Sequence, residues 1–157
     1  TTDNGIATVN ASSPSGSYTG TADQIIEMTL TSPGTITTEA GFRFRVLDAN
    51  NYWRAYFNTS GAFRVDSVEA GVATNRINVA AVISTSQTRT IRVISDGTAQ
   101  DAFTLSGATW SQRGSRLTND IHTTQTGIAT DVGAGWTAAN LRSYPRTSST
   151  YNLLDNV

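Results

Sequence analysis

The sequence predicts an all-β chain folded as an antiparallel sandwich of two sheets. Three observations lead there. Short runs of β-branched and aromatic residues recur along the whole chain, separated by turn signals such as Pro33-Gly34, Asp96-Gly97 and Gly133-Ala134-Gly135. No stretch carries the 3.6-residue apolar period of a useful amphipathic helix. The segment from Gly41 to Val68, GFRFRVLDANNYWRAYFNTSGAFRVDSV, reads as three antiparallel strands with one apolar and one Arg/Tyr face.

Taken in order, residues 1–20 are rich in Thr, Ser and Gly and read as an arm or linker with one short strand, Ile6 to Val9. In Gln24 to Thr31 the alternation of Ile26, Met28 and Leu30 against Ile25, Glu27 and Thr29 predicts a strand. The three-stranded unit follows. A two-residue turn at Ala49-Asn50 sets Val46 against Trp53, Phe44 against Ala55 and Phe42 against Phe57. The opposite face then carries Arg45 against Arg54 and Arg43 against Tyr56. A three-residue loop, Thr59-Ser60-Gly61, with Gly61 left-handed, sets Phe63 against Phe57, Val65 against Ala55, Arg64 against Tyr56 and Asp66 against Arg54. A one-residue slip in either hairpin would turn every apolar side chain outward, so the agreement of the two fixes the faces.

Gly71 to Ser84 holds one or two strands with a bend near Thr74-Asn75. Thr88 to Ser95 is a strand with Ile91 and Val93 on one side, closed by an Asp96-Gly97 turn and answered by Ala99 to Leu105. Leu105 to Gln125 is the least regular part and contains Trp110, Arg113, Arg116 and the single histidine, His122; loops of this length are often functional. Thr126 to Val132 and Ala138 to Tyr144 read as closing strands. The expected organisation is an arm at 1–20, a sandwich at 21–146 and a tail at 147–157.

Composition narrows the function. The 157 residues give room for one ordinary core. Only 15% are charged and the net charge is -1, so the broad basic footprint of a nucleic-acid or anionic-membrane binder is missing. No apolar run reaches the roughly 20 residues of a membrane-spanning helix. There is no cysteine, hence no disulfide framework or thiolate chemistry. All eleven basic residues are arginine, which removes lysine as a base or Schiff-base nucleophile. Thr (26) and Ser (16) dominate the polar positions, as suits half-wet sheet faces.

Three segments carry a family resemblance. GFRFRVLDANNYWRAYFN resembles a hairpin with the pattern G-apolar-x-F-R followed by D-x-x-N-Y-Y-R. TRTIRVISDGTAQDAF resembles a late strand ending in a D-G turn. TGIATDVGAGWTAANLRSYPR looks like a closing strand pair. Together they span most of residues 41–146 and resemble the concanavalin A-like and laminin-G-like superfamily. The resemblance implies an antiparallel jelly-roll β-sandwich of two sheets. The superfamily includes lectins, glycan-binding modules, phage tail and fibre domains, glycoside hydrolases and polysaccharide lyases, and fold alone does not choose among them.

The candidate ligand-binding residues are Arg43, Arg45, Tyr52, Arg54, Tyr56, Arg64 and Asp66 on the polar face, with Trp110 in the irregular segment. Guanidinium groups make forked hydrogen bonds to carboxylates, sulfates and sugar hydroxyls, and the tyrosine rings offer sugar faces a platform. The same residues also describe a solvated face in which Arg54 pairs with Asp66 and Arg43 lies over Tyr56. Trp110, in SGATWSQRG, fits glycan stacking, a subunit contact or loop anchoring. Trp53 is expected in the core, and Trp136 as a cap on one end of the sandwich. Asp48, Asn50 and Asn51 are oxygen donors of one turn and make calcium the metal to consider, although a turn of this kind is also ordinary Asx chemistry. No metal site and no other cofactor is expected: one histidine without cysteine builds no zinc site.

Catalysis is poorly provided for. The E-x-D-x-E strand of the glucanase branch is missing, with Glu27, Glu39 and Glu69 the only glutamates. Asp120-Ile121-His122 only weakly echoes the Q-I-H strand of the alginate lyases, whose lysine-bearing C-terminal strand has no counterpart. No G-x-S-x-G elbow accompanies His122 and Asp120. The expectation is therefore a non-enzymatic glycan- or polysaccharide-binding module of a phage or bacterial surface protein, extracellular or on a virion, with no nucleic-acid partner and no membrane insertion. The alternatives are a structural module of a virion or appendage, acting through a homo-oligomer or other subunits, and a polysaccharide lyase or glycoside hydrolase.

Overall fold

The computed structural model describes residues 7–146. It contains thirteen strands and, among the described residues, no helix. In chain order these are β1 (Val9–Ala11), β2 (Ser17–Thr19), β3 (Gln24–Thr31), β4 (Ala40–Asp48), β5 (Asn51–Phe57), β6 (Phe63–Glu69), β7 (Val72–Val79), β8 (Thr88–Asp96), β9 (Ala99–Ser106), β10 (Thr109–Gln112), β11 (Leu117–Thr118), β12 (Gly127–Val132) and β13 (Thr137–Pro145). One sheet runs β1-β13-β3-β8-β9-β10, with β11 added on β9. The other runs β2-β12-β4-β5-β6-β7. Every pairing is antiparallel. The molecule is an antiparallel jelly-roll β-sandwich of two sheets, as the sequence predicts.

The period-2 pattern explains the core. Ile26, Met28, Leu30, Ile91 and Val93 turn inward from the first sheet and meet Phe42, Phe44, Trp53, Phe57 and Phe63 from the second. Each of these side chains contributes about 1.5–3 kcal/mol by leaving water. Trp53 is fully buried and its indole N–H donates to the carbonyl of Ile121 at 2.9 Å. Trp136 is buried too. Its ring stacks on Phe57 with centroids 6.1 Å apart, and its N–H donates to the Thr38 carbonyl at 3.0 Å. It thereby joins the β12–β13 turn to the β3–β4 connection at one end of the sandwich.

The β5–β6 register is the predicted one, Phe57 to Phe63 through Arg54 to Asp66. Gly61 is left-handed (φ +74°), and a Cβ there would run into the Ile83 carbonyl oxygen. The β4–β5 register differs. The turn is at Ala49-Asn50, with Asp48 opposite Asn51, but Phe44 faces Trp53 and Arg43 faces Arg54. Arg45, Val46 and Leu47 together oppose Tyr52 alone. This bulge inserts two residues, so the apolar face survives while each partner moves by two. Arg45 sits in it with φ +47°.

Two further differences concern the irregular segments. Residues 9–11 and 17–19, inside the stretch expected as an arm, are strands: β1 lies on β13 and β2 on β12. The expected strand at Ile6 to Val9 lies partly outside the described residues, as does the whole stretch 147–157. Within Leu105 to Gln125, β10 pairs with β9 through a turn at Gly107, and β11 adds to β9. The hairpin after β8 turns at Gly97-Thr98, since Asp96 already pairs with Ala99. Among the described residues no helix is long and apolar enough to cross a membrane.

Candidate functional site

The outer face of β4, β5 and β6 gathers most of the predicted residues. Strand alternation sends Arg43, Tyr52, Arg54, Tyr56, Arg64 and Asp66 to one side, and the registers bring them into two rows. Arg43, Arg54 and Asp66 lie across neighbouring strands in one row, and Gly41, Tyr56 and Arg64 in the next. Gly41 has a steric role. A Cβ there would strike the Ala55 carbonyl oxygen and come 2.5 Å from Tyr56 Cα, so β4 passes this close to β5 only without a side chain.

Asp66 is the hub of the face, and its side chain is only 2% exposed. Its Oδ2 accepts the Tyr56 hydroxyl at 2.8 Å and the Arg54 fork at 3.2 Å (Nε) and 3.0 Å (Nη2). Its Oδ1 accepts Asn75 Nδ2 at 2.7 Å. Arg54 also donates to Glu39 at 3.2 Å and to the Tyr56 hydroxyl at 2.9 Å. Burial opposes the Arg54 charge, but Tyr56, Asp66 and Glu39 outweigh it and hold its pKa above the ordinary value. Burial, reinforced by the bond to the Asp66 carboxylate, pushes the Tyr56 phenol well up. Both groups therefore keep their neutral-pH charge states firmly.

The tyrosine rings are covered rather than bare. The Arg54 guanidinium lies 3.9 Å over the centroid of Tyr56, Arg64 flanks the same ring at 5.9 Å, and Arg43 lies 4.3 Å over Tyr52. Arg43 thus stacks on Tyr52, not on Tyr56 as the sequence reading had it, because the bulge shifts β4 by two residues. What faces solvent over these two rings is guanidinium. Arg43 is further held by Asp131 at 3.2 Å.

Arg64 differs from its neighbours. Its nearest carboxylate oxygen is Asp66 Oδ1 at 3.7 Å, beyond hydrogen-bond reach, and its buried Nε has no partner. Among the described residues its guanidinium makes no hydrogen bond. Its side chain is 31% exposed.

Arg45 and Trp110 do not stand with this group. The bulge turns the Arg45 side chain inward, where it is completely buried and donates to the carbonyls of Gly97 (2.8 Å) and Ala22 (3.2 Å) and to Asp23 (3.4 Å). Burial lowers its pKa, with Asp23 and Asp96 opposing the shift. Placing it on the polar face was an extrapolation of strict alternation across a position where the strand is irregular. Trp110 lies on the outside of the other sheet, half-buried against Ile25, Ile94 and Phe103, with the Arg92 guanidinium 3.8 Å over its ring.

The sequence reading missed Glu39, Asn75 and Asp131. Asp131 comes from β12, whose position beside β4 is a matter of topology that local patterning does not carry. Asn75 reaches the hub because β7 bulges beside Asp66. The Asp48 carboxylate accepts Asn50 N–H and the Asn51 amide, an Asx turn, and Asn51 Oδ1 accepts Ala70 N–H. Among the described residues no three His, Cys, Asp or Glu side chains gather as metal ligands. His122 bonds the Val68 carbonyl at 2.9 Å and pins its loop to β6. A separate groove of about 360 Å³ is lined by Ile36, Thr59, Ser60, Ile83, Ser84 and Thr85, with no charged residue in its lining.

No protein-family model and no curated protein sequence matches the chain. Solved structures do. The carbohydrate-binding module CBM66 from Bacillus subtilis superposes with a TM-score of 0.65 at 13% identity, over 88% of this chain and 94% of that one. The Caenorhabditis elegans galectin LEC-6 gives 0.63 at 12% identity, over 85% and 94%. The GH43 protein BlXynB from Bacillus licheniformis gives 0.56 at 15% identity, over 78% of this chain but 27% of that one. At these identities the likeness is one of fold alone, a jelly-roll β-sandwich with little sequence in common.

Proposed function

We propose that the chain is a non-catalytic glycan-binding module that engages its ligand with the arginine face of β4, β5 and β6. The observation that carries this reading is the sheet face on which Arg43, Arg54 and Arg64 lie against tyrosine rings, with Arg54 also bonded to the buried Asp66 and Arg43 to Asp131. Cations held this way have little rotamer freedom left to lose when they bind, which favours hydrogen bonding to a polyhydroxylated surface. The near end-to-end likeness to a carbohydrate-binding module and to a galectin supports the same reading. Each carboxylate at the face, Asp66, Glu39 and Asp131, is bonded to an arginine. They act as counterions, an arrangement unlike the free acid and base pair of a glycosidase.

We place the module on an extracellular or virion surface, of phage or bacterial origin, where several weak sites on one particle raise avidity. A glycan and bacterial-polysaccharide array tests the reading, with the wild type beside an Arg43→Ala/Arg64→Ala variant. Retention of ligands that the variant loses is the expected result. Retention that the variant shares in full removes the site from this face, and no retention at all sinks the function.

A specific observation favours the structural alternative as the second reading. Among the described residues, Leu47 and Val72 are the large apolar side chains that stand out to solvent, at 55% and 68% exposure. They flank turns that the Gly71 N–H to Asn50 carbonyl bond ties together, next to the open edge of β7. Concentration-dependent self-association that a Leu47→Ser/Val72→Ser variant loses would favour it.

A further inference from the structure

We propose that the arginine face selects glycans bearing carboxylate or sulfate groups, and that Arg64 is the residue that receives the anionic group. This inference rests on the glycan-binding reading and narrows it. It starts from what the face lacks. Sugar rings without charge are commonly held by stacking on a bare aromatic plane, yet here the Tyr56 ring lies under Arg54 and the Tyr52 ring under Arg43. A ligand approaching these rings meets guanidinium first.

Second, the three cations of the face differ in the donors they have left. Arg43 gives its Nε to Asp131, and Arg54 gives donors to Asp66, Glu39 and the Tyr56 hydroxyl, all at hydrogen-bond distance, whereas Arg64 gives none among the described residues. Asp66 directs its hydrogen bonds to donors other than Arg64. Its Oδ2 serves Tyr56 and Arg54, its Oδ1 serves Asn75, and Arg64 remains 3.7 Å away. Arg64 thus lies near a carboxylate that does not hydrogen-bond it, with its side chain 31% exposed and its guanidinium making no hydrogen bond among the described residues. Such a fork matches two oxygens of one carboxylate or sulfate group, and charge-assisted bonds of this kind are roughly twice as strong as those to a neutral hydroxyl.

Third, the surroundings fit an anion. Arg64 and Arg54 flank one ring, so both charges border the same spot, while Glu39 and Asp131 lie on the far sides of Arg54 and Arg43. Asn78, exposed and opposite Arg64 on β7, adds an amide beside it. Among the described residues no carboxylate other than Asp66 pairs with Arg64.

The test uses matched pairs that differ only in charge: oligogalacturonate against its methyl ester, and sulfated dextran against dextran. Calorimetric titrations are run on the wild type, Arg64→Gln and Arg64→Lys. The acidic member of at least one pair should bind about tenfold or more tightly than its neutral partner. Which pair responds tells carboxylate from sulfate. Raising salt from about 0.1 to about 1 M, which shortens the Debye length from about 10 to about 3 Å, should remove most of that preference. Arg64→Gln should lose about ten- to hundredfold for the acidic member, as expected for a charged hydrogen bond. Arg64→Lys should lose part of it, keeping charge without the fork. Thermal melts check that the variants fold, which is expected because this guanidinium makes no hydrogen bond among the described residues. Equal binding of neutral and acidic members, or an Arg64→Gln variant that binds the acidic member as the wild type does, overturns the proposal while glycan binding stands. Failure of every saccharide to bind overturns both.

Discussion

Replacing Asp66 by alanine should cost the fold more than any other single change on the outer face. The carboxylate is 2% exposed and accepts donors from two strands, β5 and β7, on either side of its own. Its removal leaves the buried Tyr56 hydroxyl without its acceptor, at about 1–3 kcal/mol. Arg54 retains Glu39 and is 21% exposed, so solvent limits its loss to about 1 kcal/mol or less. Asn75 keeps its bond to the Ile77 carbonyl at 2.9 Å, and Arg64 already stands beyond bonding distance. The total is about 1–4 kcal/mol, which for a chain of this size lowers Tm by about 2–16 °C. Asp66→Asn, which keeps one acceptor for Tyr56, should lose about half as much. Urea unfolding followed by tryptophan fluorescence measures both. A loss below about 1 kcal/mol for Asp66→Ala, with an unchanged m value, would refute the view that this carboxylate organises the face.

Other predictions follow from the same geometry. Above pH of about 10 the unfolded chain ionises Tyr56 while the folded chain resists, because its folded pKa is raised. The stability this confers is complete below pH of about 10 and drains away as pH rises, at up to about 1.4 kcal/mol per unit. Unfolding free energies of the wild type and Tyr56→Phe from pH 9 to about 11.5 should diverge in slope by that amount, and parallel curves would contradict the assignment. Gly41→Ala should destabilise by about 2 kcal/mol or more through backbone collision with Ala55 and Tyr56, visible as a lower Tm. Arg45→Lys should cost about 2–4 kcal/mol despite keeping the charge, because an ammonium cannot span the Ala22 and Gly97 carbonyls and Asp23 together. A urea midpoint equal to that of the wild type would show that the buried fork is dispensable.

The sandwich was legible because alternation is a local property: β3, β5, β6, β8, β12 and β13 fall where apolar side chains recur every second residue. The face was legible for the same reason, with six of its residues read from two hairpins. Arg45 was misplaced where locality ends. A bulge is decided by what the extra residues can bond, and the acceptors for Arg45 come from the start of β3 and the β8–β9 turn, distant in sequence. Glu39 and Asp131 escaped because nothing nearby says which strand will lie beside β4. The short strands β1, β2, β10 and β11 went unread because their pairing partners, not their own composition, make them strands. Trp110 was visible as a tryptophan in polar company, but the apolar outer patch on Ile25, Ile94 and Phe103 that receives it was not.

The first two strands also set the order of events in folding. β1 hydrogen-bonds β13 and β2 hydrogen-bonds β12, so each sheet is bordered by one of the earliest strands, paired with one of the last. Loops longer than a hundred residues close only when nearly the whole chain exists, and such contacts slow folding because chain entropy is lost before they form. Until then the free edges of β12 and β13 expose unpaired backbone groups, the usual template for strand-to-strand aggregation. Trimming residues 9–19 would therefore leave most of the core intact while making the protein slower to reach a soluble state and quicker to precipitate on the way.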